Sequence, residues 1–173
     1  AMVEEYMLLA NVSVAKKITS MFPSHAMLRR HPVPEAHAFD SLIRAAERCG
    51  VSIDASSSKT LADSLDNAAV AGNNYFNKLL RILTTRCMTQ ARYFSSGTLP
   101  AENYLHYGLA AEIYTHFTSP IRRYADVVVH RLLAAAIGWS SLDSNYYNKH
   151  SVRKVADHIN RRQVAAQHAS RDS

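Results

Sequence analysis

Apolar residues recur along this chain at helical intervals. Val3, Met7, Ala10, Val14 and Ile18 mark one face of a first helix, which Pro23 limits. Phe39, Leu42, Ile43 and Ala46 mark a second, closed by Gly50, and Leu61, Leu65 and Ala68 a short third. Thr60, with Asp63 three residues later, resembles a capping box for that third helix. Phe76, Leu79, Leu80, Leu83, Cys87 and Ala91 give a long fourth. A fifth helix is predicted over about 120–137, ending at Gly138, and a sixth over about 148–171. Between them, Arg29 to Pro34 is extended by its prolines, Ser95 to Asn103 reads as a loop, and a short strand fits around Tyr107-Gly108-Leu109. The pattern predicts a mainly α chain with at most one or two short strands and no internal repeat.

Composition narrows this little. The proportion of apolar and charged residues is that of a globular chain, the length suits one domain, and no apolar run has membrane-spanning length, so no membrane partner is expected. Cys49 and Cys87 both fall at apolar helical positions, which predicts two buried free thiols rather than a disulfide. Charge changes the picture more. The net charge of +6 favours polyanionic partners, and the excess gathers in 145–173, where six Lys or Arg face only Asp157 and Asp172.

The start of the fifth helix carries the most specific chemistry. Ser119 suits the N-cap and Pro120 the first helical position, so Arg122 and Arg123 are expected in the first turn. Cations there oppose the partial positive charge of the free N–H groups, at about 0.3–1 kcal/mol each. A bound phosphate would resolve the conflict, using backbone N–H groups, the Ser119 hydroxyl and a guanidinium fork. Carboxylates elsewhere in the fold would resolve it equally, and both readings stand. Asp126 and His130, one turn apart, are expected to touch in a structural role. On the sixth helix Asn160, Gln163 and Gln167 form a polar line that suits contacts to a polyanion's backbone or bridges between helices. Tyr107 and Tyr124 are expected in the core. No carboxylate cluster resembles a metal site, since Glu4-Glu5 diverge on a helix and Asp63 and Asp66 flank a cap.

The run Thr115-His-Phe-Thr-Ser-Pro-Ile-Arg-Arg-Tyr-Ala-Asp-Val-Val-Val-His-Arg-Leu-Leu133 resembles the signature of the ribonuclease II (RNB-domain) exoribonucleases, above all those of the eukaryotic exosome. Val3-Glu4-Glu5-Tyr6-Met7-Leu8-Leu9-Ala10-Asn11, Leu28-Arg29-Arg30-His31-Pro32, Leu61 to Asp66, Leu80 to Met88 and His106-Tyr107-Gly108-Leu109-Ala110 are similar to further blocks of that family, in the same order.

The resemblance implies the rear, helical half of an RNB domain over 1–173. It implies a parent enzyme that hydrolyses single-stranded RNA from the 3′ end with Mg2+, releases nucleoside 5′-monophosphates, and works with exosome core subunits in nucleus and cytoplasm. The family's metal-binding aspartates precede the region represented here, so the isolated chain is expected to be inactive, with exposed apolar surface and possible self-association. Arg122 matches the family arginine at the scissile phosphate. Glu5 and Asn11 belong to the motif that recognises the terminal nucleotide, while Thr118, Ser119 and Arg123 are companions of Arg122. Gln167 stands where bacterial relatives carry a glutamate. The competing expectation is a non-catalytic RNA-binding or protein-interaction module.

Overall fold

The computed structural model describes residues 2–70, 73, 75–142, 144–146 and 148–172. They form helices α1 (Met2–Met21), α2 (Asp40–Glu47), α3 (Ser58–Asn67), α4 (Phe76–Cys87), α5 (Tyr124–Ala136) and α6 (Lys149–Asp172), with strands β1 (Met27–Arg30) and β2 (Arg92–Ser95). The mainly α expectation holds, and the chain divides into two compact units.

The first unit holds α1, the two strands, α5 and α6. β1 and β2 pair antiparallel, with Arg29 opposite Tyr93 and Leu28 opposite Phe94. Val14 and Ile18 of α1, Met27 and Leu28 of β1, Val128, Val129 and Leu132 of α5, and Val152 and Ala156 of α6 bury together as its core. Two backbone groups of Tyr93 are satisfied by a side chain rather than by a third strand. Asn160 of α6 accepts from Tyr93 N at 2.9 Å and donates to Tyr93 O at 2.8 Å. Gly97 sits against the Ser24 carbonyl so closely that any Cβ would clash with backbone.

The second unit packs α2, α3 and α4 around Phe39, Leu42, Leu61, Leu65, Phe76 and Leu80. Its α3 is capped by Ser57, whose side chain accepts from Thr60 N, while the Thr60 hydroxyl accepts from Ser57 N. The capping box is therefore real but starts three residues before the position expected, with Thr60 as its inner member. Gly50, at φ +75°, takes the left-handed conformation after α2.

Several expectations are corrected. The strand lies at Arg92–Ser95, and Tyr107–Leu109 is a 3-10 turn. Four residues buried along most of their length give no alternation to read, and Ser95-Ser96-Gly97 resembled loop punctuation. α4 stops at Cys87, because Met88 is extended (φ −81°, ψ 141°), so Ala91 lies outside the helix. Both thiols are free, but Cys49 is exposed and Cys87 only half-buried. Tyr107 is in the core as expected, whereas Tyr124 is 56% exposed. On α1 only the rear of the predicted face is covered, for Val3 is 67% exposed and Val14 and Ile18 are buried.

Candidate nucleic-acid interface

The segment 114–123 is docked onto β1 and α1 before it turns into α5. Arg29 N donates to Tyr114 O at 2.9 Å, and the buried Thr115 hydroxyl donates to Met27 O at 2.8 Å. Asn11 of α1, 3% exposed, donates from its amide to the Tyr114 hydroxyl and accepts from Phe117 N, both at 2.9 Å. His130 donates from Nε2 to Phe117 O at 2.8 Å and stacks on the Phe117 ring at 4.3 Å. The expected Asp126–His130 contact is replaced by this one. Three elements thus fix the path of the chain just before the arginines.

Helix α5 begins at Tyr124, not Pro120, and its N-cap is Arg123 in extended conformation (φ −131°, ψ 115°). Ser119 caps no helix; its carbonyl accepts from Arg122 N and Arg123 N and closes a tight turn. Asp126 supplies the reason. Fully buried, it accepts from Ser119 N at 2.7 Å and takes Arg123 in a two-pronged pair, Nε to Oδ2 and Nη2 to Oδ1, each at 2.8 Å. The carboxylate reading therefore applies to Arg123, and the arginines precede the helix instead of opposing its dipole. Arg122 differs: its guanidinium is exposed and has no carboxylate among the described residues.

Arg122 lines a cavity of about 580 Å3 together with Arg29, Arg123, Arg162, Tyr93 and His116. Arg29 lies over the Tyr93 ring, 4.8 Å from its centre, and the Tyr93 hydroxyl is 2.6 Å from His116 Nδ1. Burial, reinforced by the Arg29 and Arg123 charges, pushes the His116 pKa down to about 3, so this imidazole is neutral at physiological pH. The cavity therefore draws positive charge from its guanidinium groups and none from His116. With Arg123 paired to Asp126, Arg29, Arg122 and Arg162 face it without a carboxylate partner among the described residues. Planar forks without a carboxylate partner suit phosphate groups.

The other site residues of the sequence analysis are dispersed. Gln163 lines the cavity; Asn160 is engaged by Tyr93, and Gln167 is exposed beyond it on α6. Glu5 is exposed in the first turn of α1 and is not part of the cavity wall. Asn11 is a buried brace of the loop, with no face toward solvent. Ser119 offers its backbone to Asp126, and the Thr118 hydroxyl is buried without a hydrogen-bond partner among the described residues. Sequence reasoning missed Arg29, Arg162, Tyr93 and His116 as cavity residues. The signal for Arg29 was its pairing with an aromatic strand residue, which no local pattern reveals; Arg162 lay hidden in the basic run of α6.

Among the described residues no three His, Cys, Asp or Glu side chains gather to hold a metal. The Mg2+ implied by the family resemblance therefore finds no donor set among the described residues.

The RNB domain family matches residues 1–138. Over 172 residues the chain is 58% identical to the Arabidopsis thaliana exosome complex exonuclease RRP44 homolog A, covering 99% of this chain and 18% of that protein. It is 51% identical to the Homo sapiens exosome complex exonuclease RRP44 over 173 residues, again 18% of the relative. The chain thus spans about a fifth of the curated relatives it matches. Among solved structures, yeast Ssd1, described as a pseudonuclease, superposes with a TM-score of 0.80 at 30% identity, over 91% of this chain and 19% of that one. Mycoplasma genitalium RNase R in complex with double-stranded RNA superposes at 0.76 and 26% identity, over 99% and 30%. On the matched residues, the ordered sequence blocks and the shared fold, the chain belongs to the RNB-domain family.

Proposed function

We propose that this chain is the RNA-holding part of a hydrolytic 3′→5′ exoribonuclease that acts on single-stranded RNA and releases nucleoside 5′-monophosphates. The observation that carries the reading is the asymmetry of the adjacent arginines. Asp126 neutralises Arg123 and uses it to fix the turn, while Arg122 faces an arginine-lined cavity with no carboxylate partner among the described residues. Arg122 holds a phosphate there and stabilises the charge that develops on it during hydrolysis. Arg29, held over the buried Tyr93 ring, and Arg162 extend the cationic wall. Glu5, Thr118, Ser119 and Gln167 are secondary RNA contacts in this reading, and Asn11 and Arg123 act through the loop they brace.

The Mg2+ of the parent enzyme binds residues outside this chain, and the isolated chain holds RNA without cleaving it. Similarity to proteins named as exosome exonucleases supports exosome core subunits as partners of the parent protein, and nucleus and cytoplasm are the locations proposed with that role. The exposed Met2, Val3, Tyr6 and Leu9 of α1 support self-association of the chain by itself.

The test uses 5′-labelled single-stranded RNA with Mg2+ and the purified chain. Intact RNA is expected, with binding that falls steeply between two salt concentrations and weakens in Arg122→Ala. A ladder of 3′-shortened products lost in Arg122→Ala would mean that a complete active site exists here. Unchanged binding in Arg122→Ala would remove the phosphate assignment. The likeness to Ssd1 favours a second reading, a non-catalytic RNA-binding module. An RNA ladder from the longer natural protein decides against that reading, and intact RNA from it decides in its favour.

A further inference from the structure

A second cationic hollow lies along α6, sharing a wall with the first. It has a volume of about 670 Å3, and Tyr124, His158 and Ile159 line both cavities. Its own charge comes from Arg131 of α5 and from Lys154 and Arg161 of α6, and no carboxylate lines it among the described residues. Lys154, His158 and Arg161 are spaced by four and three, so one face of α6 carries them in a row. The nearest acid on that helix, Asp157, is paired with Arg153 at 3.6 Å and is not in the wall.

Arg131 is held in place. Its Nη1 donates to the Tyr146 hydroxyl at 3.1 Å, and its guanidinium lies over the same ring, 5.8 Å from the centre. Tyr146 is itself buried in the core of the unit, so the anchor is rigid. A guanidinium fixed by a neutral hydroxyl keeps its full charge and most of its donors for an outside acceptor. A merely solvated basic face would have neither the concavity nor this anchoring.

We propose that this hollow is a second phosphodiester subsite. A strand seated at Arg122 passes over the Tyr124–His158 ridge and places a further backbone phosphate between Arg131 and Lys154. The inference rests on the RNA-holding reading above and adds to it a site that makes affinity depend on strand length. An acidic protein segment is the other class of polyanion the charge would suit. The shared wall favours the nucleic acid, because one continuous ligand then serves both cavities.

The test measures equilibrium binding of labelled oligoadenylates of three and twelve nucleotides to the 173-residue chain, without metal and over a range of salt. Lys154→Ala, at an exposed helical position, and Arg131→Lys, which keeps charge but loses the fork, are compared with Arg122→Ala. Lys154→Ala is expected to weaken the twelve-nucleotide strand about three- to tenfold and to lower its salt slope by about one, leaving the trinucleotide unchanged. Arg131→Lys should act in the same direction, and Arg122→Ala should weaken both strands. Equal losses on both lengths, or none on the longer, would overturn the subsite while Arg122→Ala still reports on the first cavity. Loss in Lys154→Ala but not in Arg122→Ala would instead overturn the first-cavity reading. Tighter binding of a twelve-residue glutamate peptide than of the oligoadenylate would assign the hollow to a protein.

Discussion

Asp126 grips Arg123 through both carboxylate oxygens while also taking the Ser119 N–H, and in doing so it decides which of two adjacent arginines remains available. The same contact moves the start of α5 from the position favoured by local sequence to Tyr124. A buried carboxylate with three donors is compensated; remove its charge and the loop loses its organiser. Asp126→Asn should therefore destabilise the first unit by about 2–4 kcal/mol, since it leaves a guanidinium without its counter-charge. Urea denaturation of the chain checks this, and a change below about 0.5 kcal/mol would contradict the role given to Asp126.

Asn11 should behave as a brace and not as a ligand. Asn11→Ala strands the Phe117 N–H and the Tyr114 hydroxyl in a buried setting, which costs about 1–3 kcal/mol. RNA affinity should fall only as far as the loop loosens, and lowering the temperature should restore it. Binding measured across temperature separates this from Arg122→Ala, whose loss should persist in the cold.

Two imidazoles give the chain an acid limit. Burial, then the neighbouring His31 and Arg29 charges, pushes His106 down to about 4, and His116 lies at about 3 for the related reason given above. Unfolding returns both to the ordinary value near 6.5, so the unfolded chain binds more protons at any pH between these limits. No penalty exists well above pH 6.5. As pH falls below it, stability should drop by up to about 1.4 kcal/mol per pH unit for each group, until the folded values near 4 and 3 are reached. Denaturation midpoints from pH 7 to 4 should show the slope, and His116→Gln should flatten it.

Backbone positions offer two contrary substitutions. Ala110 has φ +49°, a left-handed conformation that disfavours a Cβ, so Ala110→Gly should be neutral or stabilise by up to about 1 kcal/mol. Gly97→Ala should do the reverse, because its Cβ would meet the backbone of Ser24. Thermal melts of the two variants should shift in opposite directions.

The sequence by itself determined that the chain is mainly helical, and where α2 and α5 stop. Helical spacing is a local property, and Gly50 and Gly138 take the positive φ that ends α2 and α5 whatever surrounds them. The blocks that led to the family were equally legible, because identity and order are one-dimensional facts. Tertiary structure alone decided the pairing of Arg29 with Tyr93, the clamp of Asn160 on the β2 backbone and the capture of Arg123 by Asp126. The first two join residues more than sixty positions apart. The third overrides a good N-cap at Ser119 because a fully buried carboxylate must gather every donor within reach, and burial is set by the packing of the whole unit.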